Sequence, residues 1–274
     1  MQRIRIMGIL NVTPDSFHSE SRTPALDATL ERARRLLQEG ADILDVGGES
    51  TRPGAQALSA SEELKRIVPV FAALASEFPD LPLSVDTYKA EVARVALEAG
   101  ASLVNDVSGG RLDAAMPGVV ASTGATVIVG HMRGTPKTMQ QAPHFHDVVA
   151  EVAAELAESV LAFSRAGVAK ERLWVDPGFG FGKRLEDNVA LLAGLGELRG
   201  SGAALVVGIS RKRFIGLLCG GAAVEDPAAR LHGSLAAQLL AVLRGADVVR
   251  THDVGATREV LAVAEAVFGF ESRR

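Results

Sequence analysis

Three stretches of the chain, "LLQEGADILDVGG", "ALEAGASLVNDVS" and "AVLRGADVVRTHD", share one order of parts: a helical run, a glycine, a short apolar run, then a polar side chain. Gly40, Gly100 and Gly245 stand where a helix C-terminus takes a residue with positive φ, and the apolar run after each reads as a strand. Adding "RIRIMGIL", "LPLSVD", "ATVIVGH", "RLWVDP" and "ALVVGIS" brings the strands to eight. They alternate with helical segments near 24–39, 59–77, 88–99, 111–123, 145–166, 185–199, 211–244 and 256–268, the seventh broken at Pro227. Strands that are nearly all apolar are buried on both faces, as in a parallel sheet covered by helices. Eight such alternations predict an α/β fold closed on itself, a (β/α)8 TIM barrel forming a single domain over residues 1–274. A doubly wound open sheet, the competing arrangement, carries fewer strands per domain.

With 47% apolar and 23% charged residues, the chain can bury a large core and lacks the composition of a disordered or coiled-coil protein. A net charge of −4 argues against nucleic acid as a partner, so an anionic ligand must be held by locally placed Arg and Lys. No apolar window reaches the roughly 18 residues of a membrane span, and the run after Arg3 and Arg5 is too short for a signal peptide. The single cysteine, Cys219, excludes an internal disulfide and reads as a small apolar residue. A cytoplasmic location is therefore expected.

In such barrels the chemistry sits at the C-terminal ends of the strands. The residues closing the runs are Asn11, Asp45, Asp86, Asn105, His131, Asp176, Ser210 with Lys212, and Arg250 with His252. A helix N-cap also selects Asn, Asp or Ser there, and capping is the reading for Asp106 and Asp253. Three features exceed capping. Asp86, Asn105 and Asp176 converge on one mouth and suit the donor edge of a flat, guanidine-like heterocycle, because a carboxylate accepts two parallel N–H bonds. Arg250 and His252, two apart on a strand, face the same way and suit a phosphate. In "DPGFGFGK", Gly178, Gly180 and Gly182 interleave with Phe179 and Phe181, which permits backbone near a ring and an aromatic face upon it. "GFGFGK" is too short for a phosphate loop and lacks its Ser or Thr, and His144 with His146 has no matched third metal ligand. His18 and His131 stay ambiguous, while Met132, Met139 and Trp174 read as core or pocket wall.

"NVTPDSF", "DVGGESTRPGA", "SVDT", "VNDVSGG", "HMRGTPKTMQ", "DPGFGFGK", "GISRKRFIG" and "RTHDV" occur in order over nearly the whole chain, which in these motifs resembles the dihydropteroate synthases. The resemblance implies a folate-pathway transferase joining 4-aminobenzoate to 6-hydroxymethyl-7,8-dihydropterin diphosphate with release of diphosphate, Mg²⁺ as cofactor, sulfonamide sensitivity, and a homodimer formed through outer helices. Carried over, Asp176 would take the pterin amino-pyrimidine edge and Asn105 complete its hydrogen bonds. Lys212 would reach the carbonyl side, Phe181 would face the ring, and Asp86 would sit near the dihydropyrazine nitrogen and stabilise a dissociative, cationic transition state. Arg250 and His252 would hold the diphosphate, and Asn11 would offer the metal an oxygen at the base of a mobile catalytic loop. Thr51, Arg52 and Ser210 would line the aminobenzoate side, with Phe17 and Pro53 enclosing it. The family usually continues after "NVTPDSF" with Ser-Asp-Gly-Gly, where this chain has His18-Ser19-Glu20-Ser21. Two other readings remain: a methyltetrahydrofolate methyltransferase, which needs no diphosphate clamp, and a catalytically silent pterin binder.

Overall fold

In the computed structural model, residues 4–12, 23–49 and 58–269 are described. Eight parallel strands close into a barrel in sequence order: β1 (Arg5–Asn11), β2 (Ile43–Gly47), β3 (Leu83–Asp86), β4 (Leu103–Asp106), β5 (Thr126–Gly130), β6 (Leu173–Asp176), β7 (Ala204–Val207) and β8 (Val248–Thr251). Closure is made by β1 on β8, with Arg5 opposite Val248 and Gly8 opposite Thr251. The helices outside are α1 (Thr23–Gln38), α2 (Ala60–Glu77), α3 (Ala90–Glu98), α4 (Met116–Thr123), α5 (Val148–Arg165), α6 (Leu185–Ala193), α7 (Arg213–Cys219), α8 (Leu231–Leu243) and α9 (Val254–Phe268). This is the predicted (β/α)8 barrel. Gly40, Gly100 and Gly245 each take positive φ, as the repeated helix–glycine–strand order requires.

Because successive strand residues face opposite ways, each strand feeds two cores. One face packs on the helices, through Ile6, Leu44, Val85, Val104, Val127, Val175, Val207 and Val249 among others. The other fills the barrel with Met7, Ile43, Leu103, Ile128, Trp174, Ala204, Val206 and Val248. Two residues beyond four of these, on the same inward face, stand Asp45, Asn105, Asp176 and Arg250. An apolar plug is thus overlain by a polar layer at the C-terminal mouth.

Three helical expectations are corrected. The segment 185–199 ends as a helix at Ala193, and Gly194 leads into a 3-10 turn, Leu195–Leu198. The seventh segment breaks first at Gly220, not at Pro227; 3-10 turns at Gly221–Val224 and Ala228–Arg230 separate α7 from α8. Helix α4 starts five residues later than the expected 111, because Asp106 and Asp113 hold the preceding stretch in turns: Asp106 accepts from Ser108 N and Gly110 N, and Asp113 from Ala90 N and Ala115 N. Asp106 is therefore a loop staple and caps no helix. Asp253 stands at the start of α9, yet its carboxylate makes no cap and pairs with Arg211. Cys219, expected among apolar neighbours, is exposed. None of the described helices is long and apolar enough to cross a membrane.

Candidate active site

The polar layer is held together by Arg250. Its Nε donates to Asp45 Oδ2 at 2.6 Å and its Nη2 to Asp86 Oδ2 at 2.6 Å, while Asn105 Nδ2 donates to Asp45 Oδ2 at 3.1 Å. This differs from the expectation that Arg250 offers its whole fork to an anion beside His252. Two of its edges are committed to carboxylates inside the barrel, because two buried acids need a countercharge and Arg250 is the cation whose strand position reaches both. Asp45, which the sequence reading left out of the site, lies at its centre. Asp45 Oδ1, Ser84 Oγ and Asp86 Oδ1 are buried and have no hydrogen-bond partner among the described residues. Such orphaned acceptors suit a ligand that brings N–H groups.

Burial pushes the Asp86 carboxyl up, Arg250 pulls it back, and Asp45 adds to the rise. Burial also raises Asp176, against the hydrogen bond from Gly178 N to its Oδ1 at 2.7 Å. Lys212 follows β7 and is brought down to about 8 by burial, with Arg250 adding and Asp176 and Asp86 opposing. Its Nζ lies 3.9 Å from the centre of the Phe181 ring. Asp86, Asn105, Asp176, Phe181 and Lys212, all singled out in the sequence, therefore meet at one mouth.

The loop after β6 is built for this place. Gly178 and Gly180 take φ of 68° and 79°, and a Cβ on Gly178 would stand 1.9 Å from His131 O, so only glycine lets the loop pass the end of β5. Asn188, on α6, accepts from Gly180 N and donates to the carbonyls of Lys183 and Arg184. His131 is buried; its Nε2 lies 3.0 Å from Glu155 Oε2 and its Nδ1 2.9 Å from Lys183 Nζ. His144 and His146 meet edge to face, and no group of three metal-ligating side chains occurs among the described residues.

Beside the mouth, a cavity of about 300 Å³ is lined by Ile9, Leu10, Asn11, Ala28, Thr29, Arg32, Arg211 and His252. Ser210 Oγ accepts from His252 N at 3.2 Å and lies 3.0 Å from His252 Nδ1, so the serine fixes the orientation of the imidazole. Arg32 Nη2 donates to His252 O at 3.0 Å. Arg211 has φ of +56°, a conformation few side chains adopt. It is held there by Arg211 N donating to Ser234 Oγ, by Arg230 Nη1 donating to Arg211 O, and by its own guanidinium on Asp253. Arg32 and Arg211 were not singled out by the sequence. Arg32 sits in "ERARR", which reads as a solvated helix face, whereas Arg211 lay within the quoted "GISRKRFIG" and could have been found there. Phe17, Thr51, Arg52 and Pro53, with the departure at His18 to Ser21, lie outside the described residues.

A larger cavity of about 670 Å³ opens at the opposite end of the barrel, lined by Arg5, Asp42, Asp80, Trp174 and Arg258 among others, with the Arg5 guanidinium 4.1 Å from the Trp174 ring. It lies below the apolar plug and does not meet the polar layer. Trp174 is thus both a core residue and a wall of that cavity.

Residues 7–252 match the family model described as pterin binding enzyme. The dihydropteroate synthase of Escherichia coli (strain K12) is 45% identical over 273 residues, covering 98% of this chain and 93% of the relative. A solved Xanthomonas albilineans dihydropteroate synthase with 4-aminobenzoic acid is 48% identical with a TM-score of 0.89, covering 98% of this chain and 94% of that one. The same enzyme in complex with 7,8-dihydropteroate aligns at 45% identity and a TM-score of 0.86, over 98% and 95% of the two chains. The chain belongs to the pterin binding enzyme family and is a transferase of its dihydropteroate synthase branch.

Proposed function

We propose that the protein condenses 4-aminobenzoate with 6-hydroxymethyl-7,8-dihydropterin diphosphate to give 7,8-dihydropteroate and diphosphate, by a dissociative route. The observation that carries this reading is the juxtaposition of a carboxylate-rich mouth and a cavity lined by Arg32, Arg211 and His252. Asp176 Oδ2 and Asn105 would meet the amino-pyrimidine edge of the pterin, Lys212 its carbonyl, and Phe181 its face. The methylene C–O bond breaks with its electron pair leaving on diphosphate, and the resulting cation is delocalised over the ring beside Asp86, whose fixed negative charge is worth most in a dry site. The amine lone pair of 4-aminobenzoate then forms the C–N bond, and the proton it sheds passes to solvent. His252 and the Nη1 of Arg250 would hold the leaving group.

Magnesium fits only together with the diphosphate. Asn11 Oδ1 is a side-chain oxygen at that cavity suited to it, and Mg²⁺ typically takes few protein ligands beside substrate phosphates. When bound it would neutralise the departing charge. We place the protein in the cytoplasm and as a homodimer, the latter supported by exposed Leu217, Leu218, Leu240 and Leu243 on α7 and α8.

The test is to incubate the protein with both substrates and Mg²⁺ and follow diphosphate release together with formation of the pteroate. Product in equal amount to diphosphate supports the reading. Tight pterin binding without diphosphate release establishes the silent binder instead.

A further inference from the structure

Lys183 is 3% exposed, deeper than any other lysine beside the site, and the chemistry above makes no use of it. Three atoms surround its Nζ: Gly178 O at 2.9 Å, Phe181 O at 3.2 Å and His131 Nδ1 at 2.9 Å. The two carbonyls can only accept. The role of His131 Nδ1 follows from the far side of the ring. Glu155 takes Arg133 and, at 2.8 Å, Arg111, so it is ionised and can only accept from His131 Nε2 at 3.0 Å. The ring hydrogen is therefore on Nε2, and Nδ1 presents a bare lone pair to Lys183. Gly178 O also accepts from Phe181 N at 3.1 Å, yet only an ammonium with three hydrogens donates to all three acceptors, whereas a neutral amine turns its lone pair on one of them.

We propose that Lys183 is a positioning residue whose charged ammonium, oriented by the Glu155–His131 pair, ties the loop after β6 to the end of β5 and so sets Phe181 and Asp176 for the pterin. Phe181, whose carbonyl it holds, places its ring under Lys212, and Gly178, the other carbonyl, donates its N–H to Asp176 Oδ1. The inference rests on the pterin reading of that mouth. Charge at Nζ is opposed by burial, which brings it down to about 7; Asp176 and Glu155 favour it, and Lys212 and Arg133 disfavour it. Phe145 presents its ring face 5.9 Å away. The tie is thus complete below about pH 7 and loosens above it.

Calorimetry with 6-hydroxymethylpterin, on the parent and on Lys183→Met at about pH 6 and about pH 8.5, tests this. The parent should bind about tenfold tighter than the variant at the lower pH, with the ratio closing towards one at the higher, which also cancels titration of the ligand. Binding by the parent with a ratio that is the same at both pH values overturns this inference alone, and failure of the parent to bind overturns the pterin reading with it. Should Lys183→Met not fold, Glu155→Gln serves. It removes an anion favouring the ammonium and frees the imidazole to change tautomer, so the midpoint of the pH dependence must move down, and an unmoved midpoint overturns the proposal.

Discussion

Single side chains decide what the mouth can hold. Asp176→Asn turns one acceptor oxygen into a donor that would face ligand N–H groups, and should weaken a bare pterin by about 1–3 kcal/mol. Equal affinity of variant and parent in calorimetry removes Asp176 from the pocket. Arg250→Ala leaves Asp45 and Asp86 buried without their shared cation, and should cost about 3–5 kcal/mol of stability in urea unfolding. It should also weaken the bare pterin, by disturbing Asp45 and Asp86, and the pterin diphosphate further still, by removing Nη1 from the leaving group; a loss confined to the diphosphate would show that Arg250 serves the anion only. At this scale much was legible: Asp86, Asn105 and Asp176 stand out because each ends an apolar run with a group that a buried strand tolerates only when paired. The partner of Arg250 was not legible. A period of two places its side chain inside the barrel but does not tell an anionic ligand from two aspartates drawn from strands 205 and 164 residues away in sequence.

Among the elements, α5 does more than cover β5. Its N-terminus is capped by Asp147, and Glu151 and Glu155 lie one turn apart, where both bind Arg133. Through Glu155 the helix fixes His131, whose ring burial holds it neutral, down to about 4. A histidine titrating lower in the folded than in the unfolded state makes the fold lose stability as pH falls from about 6.5 towards 4. Between about pH 7 and pH 5 this should amount to roughly 2 kcal/mol, read as a fall in urea midpoint, and His131→Gln, a neutral replacement, should lack that fall. An identical fall in both proteins would refute the assignment. The periodic parts of these elements were legible, since Gly40, Gly100 and Gly245 mark three of the helix ends. The break between α7 and α8 was misplaced because Gly220, at φ of 68°, ends α7 before the proline signal is reached. The late start of α4 was hidden for a different reason. Asp106 and Asp113 offer the backbone side-chain partners, and residues that do so compete with helix.

For the whole molecule, the barrel itself was the most legible feature, because eight repeats of one unit leave few ways to bury eight apolar strands. Assembly beyond one chain was not, as exposed leucines on α7 and α8 show only once both helices are placed. If these faces pair two copies, the joint variant Leu218→Glu, Leu240→Glu should run as a monomer in light scattering while the parent runs as a dimer, and a parent that is monomeric at micromolar concentration would sink the dimer. Closure of β1 on β8 also orders events in time. During synthesis at about 5–20 residues per second, Asp45 leaves the ribosome roughly 10–40 s before Arg250, its ion-pair partner in the last strand. Until then the nascent sheet keeps two unpaired edges and an acid that lacks its countercharge. A chain stalled before β8 would therefore lack both the barrel seam and the cation that unites Asp45 with Asp86, so such truncation products should be prime substrates for chaperones and proteases.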